Sequence, residues 1–265
     1  MLLEAAAPTE VGARSSLSKA LALMVVVAER SQKGVGLSAA AARTGLHVAT
    51  AHRLLGALVD ESFVNFDPYT KRYFLGLMPY EMVNRAGQEL EFLQLRKRLR
   101  PHLEAAQRDL GGIVNLSVPS RDEALCIDVI EGRADILVST LKVGARRPLG
   151  VGAASLALLA TQPADRQAAI IARETERYLK YGHLSAALVR EACAGWPVDG
   201  YVVNEALIIP DIGALAIPVF DGETLVCAAS VTNTISHLHP NARAALALTL
   251  RRAVEAAGLR TEAAR

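Results

Sequence analysis

Leu37-Ser38-Ala39-Ala40-Ala41-Ala42-Arg43-Thr44-Gly45-Leu46-His47-Val48-Ala49-Thr50-Ala51-His52-Arg53-Leu54-Leu55-Gly56 decides the reading of the first third of this chain. Ser38 supplies an N-cap for a short helix over 39–43, and Thr44-Gly45 makes a tight turn. A further helix runs over 48–60, with Leu54, Leu55, Leu58 and Val59 on its inner face. Upstream, a helix over 15–31 carries Leu17, Leu21, Met24, Val25 and Ala28 at helical spacing, and Gly34 and Gly36 break the chain after it. Downstream, residues 63–66 are strand-like, Asp67-Pro68-Tyr69-Thr70 is turn chemistry, and 72–75 return as a second strand. The pattern is a helix-turn-helix followed by a two-strand wing.

Charge sets this segment apart. Residues 14–76 hold eight Lys/Arg (Arg14, Lys19, Arg30, Lys33, Arg43, Arg53, Lys71, Arg72) against four Asp/Glu (Glu29, Asp60, Glu61, Asp67). That surplus of four exceeds the whole chain's +2, so this segment is the candidate for a polyanionic partner. A second helix with a polar N-terminal half can enter the major groove of double-stranded DNA. His47, Thr50, His52 and Arg53 are placed for that, with Lys71, Arg72 and Tyr73 on the wing as further candidates. The competing reading is an ordinary three-helix packing unit with a solvated polar face.

The remainder alternates helices and strands. A basic helix over 89–110 includes Arg96, Lys97, Arg98 and Arg100; Pro101 interrupts or restarts it, and Gly111-Gly112 stops it. Residues 113–118, 124–130 and 136–141 read as strands, and 153–160, 165–174 and 184–194 as helices. A strand pair over 214–220 and 224–232 turns at Asp221-Gly222, and an amphipathic helix over 241–257 closes the chain. Strands covered by helices on one face suggest an α+β sensor-like domain.

Composition narrows the class. Hydrophobic residues make up 51% and charged residues 21%, which excludes bulk disorder. The mean hydropathy of +0.24 invites a membrane reading. The longest obvious apolar run, however, is the nine residues 20–28, far below the roughly 18 a spanning helix needs. Glu4 and Glu10 precede it without a basic segment, unlike a signal peptide. Cys126, Cys193 and Cys227 are odd in number, widely spaced and outside any CxxC. They read as inert thiols of a reducing compartment, and the expectation is a soluble cytoplasmic protein without membrane contact.

The run Gly45-Leu46-His47-Val48-Ala49-Thr50-Ala51-His52-Arg53-Leu54-Leu55 resembles the winged helix-turn-helix of the IclR-type transcriptional regulators. So do Arg72-Tyr73-Phe74-Leu75-Gly76, Gly144-Ala145-Arg146-Arg147-Pro148-Leu149, Gly200-Tyr201 and Ala214-Leu215-Ala216-Ile217-Pro218-Val219-Phe220-Asp221. Motif order and spacing extend the resemblance from about 15 to 259. It implies an N-terminal winged helix-turn-helix (14–76), a linker helix (77–100) and a C-terminal α/β effector-binding domain of GAF/PAS-like type (101–260). It also implies a homodimer or tetramer that binds operator DNA and a small organic effector. Three departures stand out: Ala49 where a serine is common before Thr50, Ser62 where a glycine usually ends the recognition helix, and Thr70-Lys71 at a wing tip that often holds glycine.

Pro148-Leu149-Gly150-Val151-Gly152-Ala153-Ala154-Ser155 superficially resembles GxGxxG, but no acidic residue follows in the context a dinucleotide site requires. A glycine turn opening a helix fits better, with the N–H groups of Ala153 and Ala154 facing an anion; a tight turn without ligand is the plain alternative. The resemblance favours the former, and implies that Asn204, Ala214, Ser230 and Thr232 line the effector pocket. Ser230 and Thr232 share one strand face, so their hydroxyls suit a carboxylate or aromatic acid, with Ile136, Ala214 and neighbouring aliphatics around its apolar body. His237-x-His239 lacks a third ligand nearby, and no metal or cofactor is expected. Trp196 reads as an apolar anchor. The rival function is an enzyme acting on a small anion with an accessory helix-turn-helix, against which stands the lack of an activated nucleophile in the sequence.

Overall fold

A computed structural model describes residues 15–30, 32–86, 90–132 and 141–262, and the chain divides into two compact units, Met1–Gly87 and Gln88–Arg265. Arg14, Ser31, Glu89 and residues 136–140 of the strand expected over 136–141, Ile136 included, lie outside the described residues, and Leu141 is not in a strand.

The first unit contains α1 (Ser16–Ala28), β1 (Val35–Gly36), α2 (Leu37–Thr44), α3 (Val48–Asp60), β2 (Val64–Asp67), β3 (Arg72–Leu75) and α4 (Met78–Ala86). The Ser15 side chain caps α1 by accepting from Ser18 N–H. α2 starts at Leu37, one residue before Ser38, after a Gly36 cap without a side-chain bond, so Ser38 is a helix residue and not its cap. Gly45 closes α2 in the left-handed region at φ 67°, and the Thr44 hydroxyl turns back to donate to the Ala40 carbonyl at 2.8 Å. The α1 stripe read from the sequence is not the buried one: Leu23, Val26 and Val27 face the core, while Leu17, Leu21 and Val25 are exposed. Both stripes are helically spaced, and only packing against α2 and α3 selects between them.

The wing is a three-stranded antiparallel sheet in the order β1-β3-β2. Its short third strand, β1, had no pattern of its own to reveal it. Ser62 and Lys71 both adopt positive φ, 59° and 56°, so the two sites where glycine is common keep the glycine conformation without the glycine.

The second unit is built from α5 (Glu91–Leu110), β4 (Ile113–Ser120), β5 (Glu123–Ile130), β6 (Arg146–Pro148), α6 (Ala153–Ala160), α7 (Ala164–Tyr178), α8 (Ala186–Asp199), β7 (Val202–Ile209), β8 (Ile212–Asp221), β9 (Thr224–Thr234) and α9 (Pro240–Ala256). Pro101 lies inside an unbroken α5, and α8 runs past Trp196 to Asp199, with Trp196 half-buried against the α6 side of the core. The six strands form one sheet in the order β6-β5-β4-β9-β8-β7, every neighbouring pair antiparallel.

Helices cover this sheet on both faces, not one. α5 and α9 pack on Leu215, Ile217, Val219, Cys227, Ala229 and Val231. α6, α7 and α8 pack on the opposite side, over Ala216 and Ala228. The alternation along β8 and β9 is apolar on both faces, so the sequence gives no solvent side. The α6 side differs by being small and polar where Ala214, Ser230 and Thr232 stand, which leaves room for a cavity.

Leu116 pairs with Asp128 but Ser117 pairs with Cys126, so Ile127 is the extra residue of a β-bulge. The bulge turns Asp128 towards α5. There its carboxylate, 1% exposed, meets Arg100 Nη1 at 2.6 Å and Arg96 Nε at 3.2 Å.

Candidate functional site

In the first unit α3 stands on Ala51, Leu54 and Leu55, which are buried, and leaves His47, His52 and Arg53 exposed on its outer side. Thr50 is half-buried beside them. His47 is also the N-cap of α3, its Nδ1 accepting from Ala49 N–H at 3.3 Å. Lys71 is exposed at the wing tip. The turn before it is set by Asp67, whose carboxylate accepts from the Thr70 hydroxyl at 2.5 Å and from Tyr69 N–H at 2.9 Å. These bonds, the Thr70 one first, hold the Asp67 carboxyl below its usual range.

Two wing residues have other work. The Arg72 guanidinium donates to the Lys33 and Gly34 carbonyls at 3.2 Å each, tying the wing to the turn before β1. Tyr73 is a correction: its ring is buried and packs on Phe66 at 4.8 Å between centroids, so its side chain belongs to the core. Alternation along β3 explains this, because Tyr73 points inward where Arg72 and Phe74 do not.

In the second unit one cleft gathers Ala153, Ala154, Asn204, Ala214, Ser230 and Thr232. Its floor is the polar side of the sheet: Asn115 and Ser117 on β4, Ser230 and Thr232 on β9, Ala214 on β8 and Asn204 on β7. Ser230 lies opposite Asn115 in register, and Thr232 lies opposite Ala214. The wall is the loop into α6. Gly150 (φ 99°) and Gly152 (φ 86°) both need the freedom of glycine, and a side chain at 150 would meet the Tyr178 hydroxyl at 2.8 Å. That hydroxyl donates to the Leu149 carbonyl at 2.7 Å and fixes the loop. No side chain caps α6, and its first two residues, Ala153 and Ala154, line the cleft. The Ser155 hydroxyl is committed inward, donating to the Val151 carbonyl at 2.7 Å.

The directions of Arg146 and Arg147 are not legible in the sequence; the structure separates them. Arg146 reaches outward to the Ser120 hydroxyl at 3.0 Å. Arg147 lines the cleft, its Nη1 3.1 Å from where a side chain on Gly152 would begin. It is the one charged residue among the described lining residues. Burial pulls it below the usual arginine range, yet a guanidinium keeps its charge at neutral pH. The cleft is therefore neutral and polar at its floor and cationic at its wall. Sequence reading missed Arg147, Asn115 and Ser117 as lining residues. For the last two a signal existed, since they are the polar residues two apart in the otherwise apolar run Ile113-Val114-Asn115-Leu116-Ser117-Val118. β7 was missed as a strand altogether.

Other candidate chemistry resolves simply. The loop at 148–155 follows an antiparallel strand, not the parallel βαβ unit of a dinucleotide site. Burial pushes the Cys126 thiol up to about 11 and Cys193 to about 12, and raises Cys227 as well. Thiols so shifted stay protonated at neutral pH. His237 Nδ1 lies 2.8 Å from the Thr234 hydroxyl, and no group of three metal-ligating side chains occurs among the described residues. Nor is any helix among them long and apolar enough to cross a membrane.

Comparison with known proteins adds the decisive observation. The family model for the bacterial transcriptional regulator IclR C-terminal domain matches residues 87–258, and that for the IclR helix-turn-helix domain matches 16–68. The chain belongs to the IclR family. It is 28% identical over 238 residues to a glycerol operon regulatory protein of Streptomyces griseus, covering 85% of this chain and 87% of the relative. It is 26% identical over 202 residues to the HTH-type transcriptional regulator KipR of Bacillus subtilis strain 168, covering 72% and 75%. Among solved structures, an IclR homologue from Microbacterium hydrocarbonoxydans complexed with 4-hydroxybenzoate matches with a TM-score of 0.76 at 20% identity, over 92% of this chain and 97% of that one. As an IclR-family transcriptional regulator, the chain pairs a DNA-binding helix-turn-helix with a C-terminal effector domain.

Proposed function

We propose that this regulator is ligand-responsive: residues 14–76 bind double-stranded operator DNA, 77–100 connect, and 101–260 bind a small singly charged organic acid that alters DNA affinity. The observation that carries the reading is the cleft, with one guanidinium and an uncapped helix start on its wall and hydroxyls on its floor. The 4-hydroxybenzoate complex of the Microbacterium homologue supports an acid as the ligand class. The protein acts as a homodimer or tetramer. Leu17, Leu21 and Val25 leave an apolar stripe on α1 that the first unit does not cover. Of the apolar residues in α5, Leu95 and Leu99 are buried in their own unit and Phe92 remains exposed. To act as an effector, the acid must bind two DNA-binding geometries of the oligomer with different affinities.

Two substitutions test the two sites. Arg53→Ala will weaken binding to DNA upstream of the gene by about 1–3 kcal/mol if Arg53 grips a base, with relaxed specificity at one position. A uniform loss on all sequences would mark a phosphate contact, and no loss in a gel shift would show α3 to be the wrong helix. Ser230→Ala, at a site 3% exposed, will lower affinity for a carboxylate or aromatic acid by about 10- to 150-fold in calorimetric titration. DNA binding without the acid will not change. Equal acid affinity in both proteins would place the ligand elsewhere.

A further inference from the structure

Two side chains on the floor of the cleft are left incomplete. Asn115 is 5% exposed and Asn204 is 4% exposed. Asn115 Oδ1 and Asn204 Nδ2 are both buried without a hydrogen-bond partner. The Asn115 amide reaches only Thr232 Oγ1, at the long distance of 3.5 Å. Buried amide atoms lose their water and regain nothing here, which folding alone does not favour. Ser155 shows the contrast: it lines the same cleft, yet its hydroxyl is bonded to its own helix. The amides are thus unsatisfied in a way that Ser155 is not.

We propose that Asn115 is a specificity-determining residue that selects a hydroxy acid over the corresponding acid without a hydroxyl, while Asn204 meets an acceptor elsewhere on the ligand; this rests on the anion-binding reading above. A carboxylate carries acceptors only. It can serve Arg147, the α6 N–H groups or Asn204 Nδ2, but it offers no proton to Asn115 Oδ1. The ligand must bring a donor of its own. An ammonium would bring a second cation into a cleft whose one charge among the described lining residues is already positive. A hydroxyl brings a donor without charge. Rotated end for end, either amide would present its other atom, and a hydroxyl, which both donates and accepts, would serve it equally.

The two amides are not a single grip. Asn115 stands on β4 and Asn204 on β7, with β9 and β8 between them. At about 4.8 Å per strand spacing, one small group cannot reach both. They address different parts of the bound molecule. A hydroxyl meets Asn115 beside Ser230 and Thr232, and an acceptor meets Asn204.

Matched pairs test this by calorimetric titration of the full chain: lactate with propionate, mandelate with phenylacetate, and 4-hydroxybenzoate with benzoate. In at least one pair the hydroxy acid will bind about 10- to 100-fold tighter than its partner. Asn115→Leu will bring that ratio close to one while the partner acid keeps its affinity. Because Asn115→Leu perturbs a buried strand, Asn115→Ser is measured beside it and will retain part of the preference. Equal affinities within every pair that binds would overturn the hydroxyl selection and leave the anion reading standing. Binding of none of the six acids, or equal binding of neutral benzyl alcohol, would overturn the anion reading itself. A wild-type preference untouched by Asn115→Leu would show that other residues read the hydroxyl.

Discussion

Gly76→Ala will destabilise the first unit by about 3 kcal/mol or more, enough to abolish DNA binding at ordinary temperature. A Cβ built at Gly76 would lie 2.1 Å from the Ser62 carbonyl oxygen and 2.9 Å from the Phe63 carbonyl carbon. Both are backbone atoms, and neither is free to move. Gly76 N–H donates to the Phe63 carbonyl at 2.9 Å, and Met78 N–H donates to the Ser62 carbonyl at 3.1 Å. Ser62 is itself held at φ 59°. The alanine must therefore prise the end of β3 away from the exit of α3. Small units have little stability to lose. Hydrogen exchange will report lost protection in 16–86 with the second unit unchanged. Gly56→Ala is the control: nothing lies within 4 Å of its Cβ position, and mid-helix alanine is favoured by up to about 1 kcal/mol. If Gly76→Ala unfolds at the same urea concentration as the parent chain, the close approach at this turn is not obligatory.

Arg100→Ala will destabilise the second unit by about 2–4 kcal/mol. Removing one partner of a buried ion pair typically costs about 3–5 kcal/mol, and the retained Arg96 reduces that here. After the substitution Asp128, 1% exposed, keeps Arg96 Nε at 3.2 Å and a bond from its neighbour's N–H, Val129, at 3.1 Å. Arg100 also pairs with Glu104 at 2.7 Å on the surface, a contact that contributes little. The penalty thus arises from the buried carboxylate. It follows that Asp128→Leu combined with Arg100→Leu will be closer to wild type than Arg100→Ala alone, since two apolar side chains replace a desolvated charge. Urea unfolding of the single and double variants gives the coupling. Additive losses would mean that the bulge at Ile127 does not lock α5 to the sheet through this pair.

Local signals in the sequence reached far. The αL glycine at Gly45 and the apolar spacing of α3 fixed the helix-turn-helix, and α6 was readable from its first residue to its last, 153–160, because a glycine turn opens it. These features depend on residues within a turn or two of one another. The cleft was legible only through resemblance: six of its lining residues were named, but from four separate segments that no local rule brings together. Motif order linked them.

What tertiary structure alone decided shares one cause, that direction and pairing are non-local. Two stripes of α1 have the helical period, and contact with α2 and α3 chose Leu23, Val26 and Val27 over Leu17, Leu21 and Val25. Adjacent arginines of one short strand point to opposite sides by alternation, but only the loop closing at Gly152 makes the Arg147 side a cleft. β4 and β9 are more than a hundred residues apart, and their register puts Asn115 beside Ser230. The bulge at Ile127 moved Asp128 to the α5 face with no mark in the sequence. The sequence by itself determined the helix-turn-helix, the positions of α5, α6, α7, α8 and α9 and which family the chain resembles, while α4 (Met78–Ala86) had no reading of its own. Packing of the sheet decided which polar side chains share one cleft, because burial selects a face only once a second surface is present.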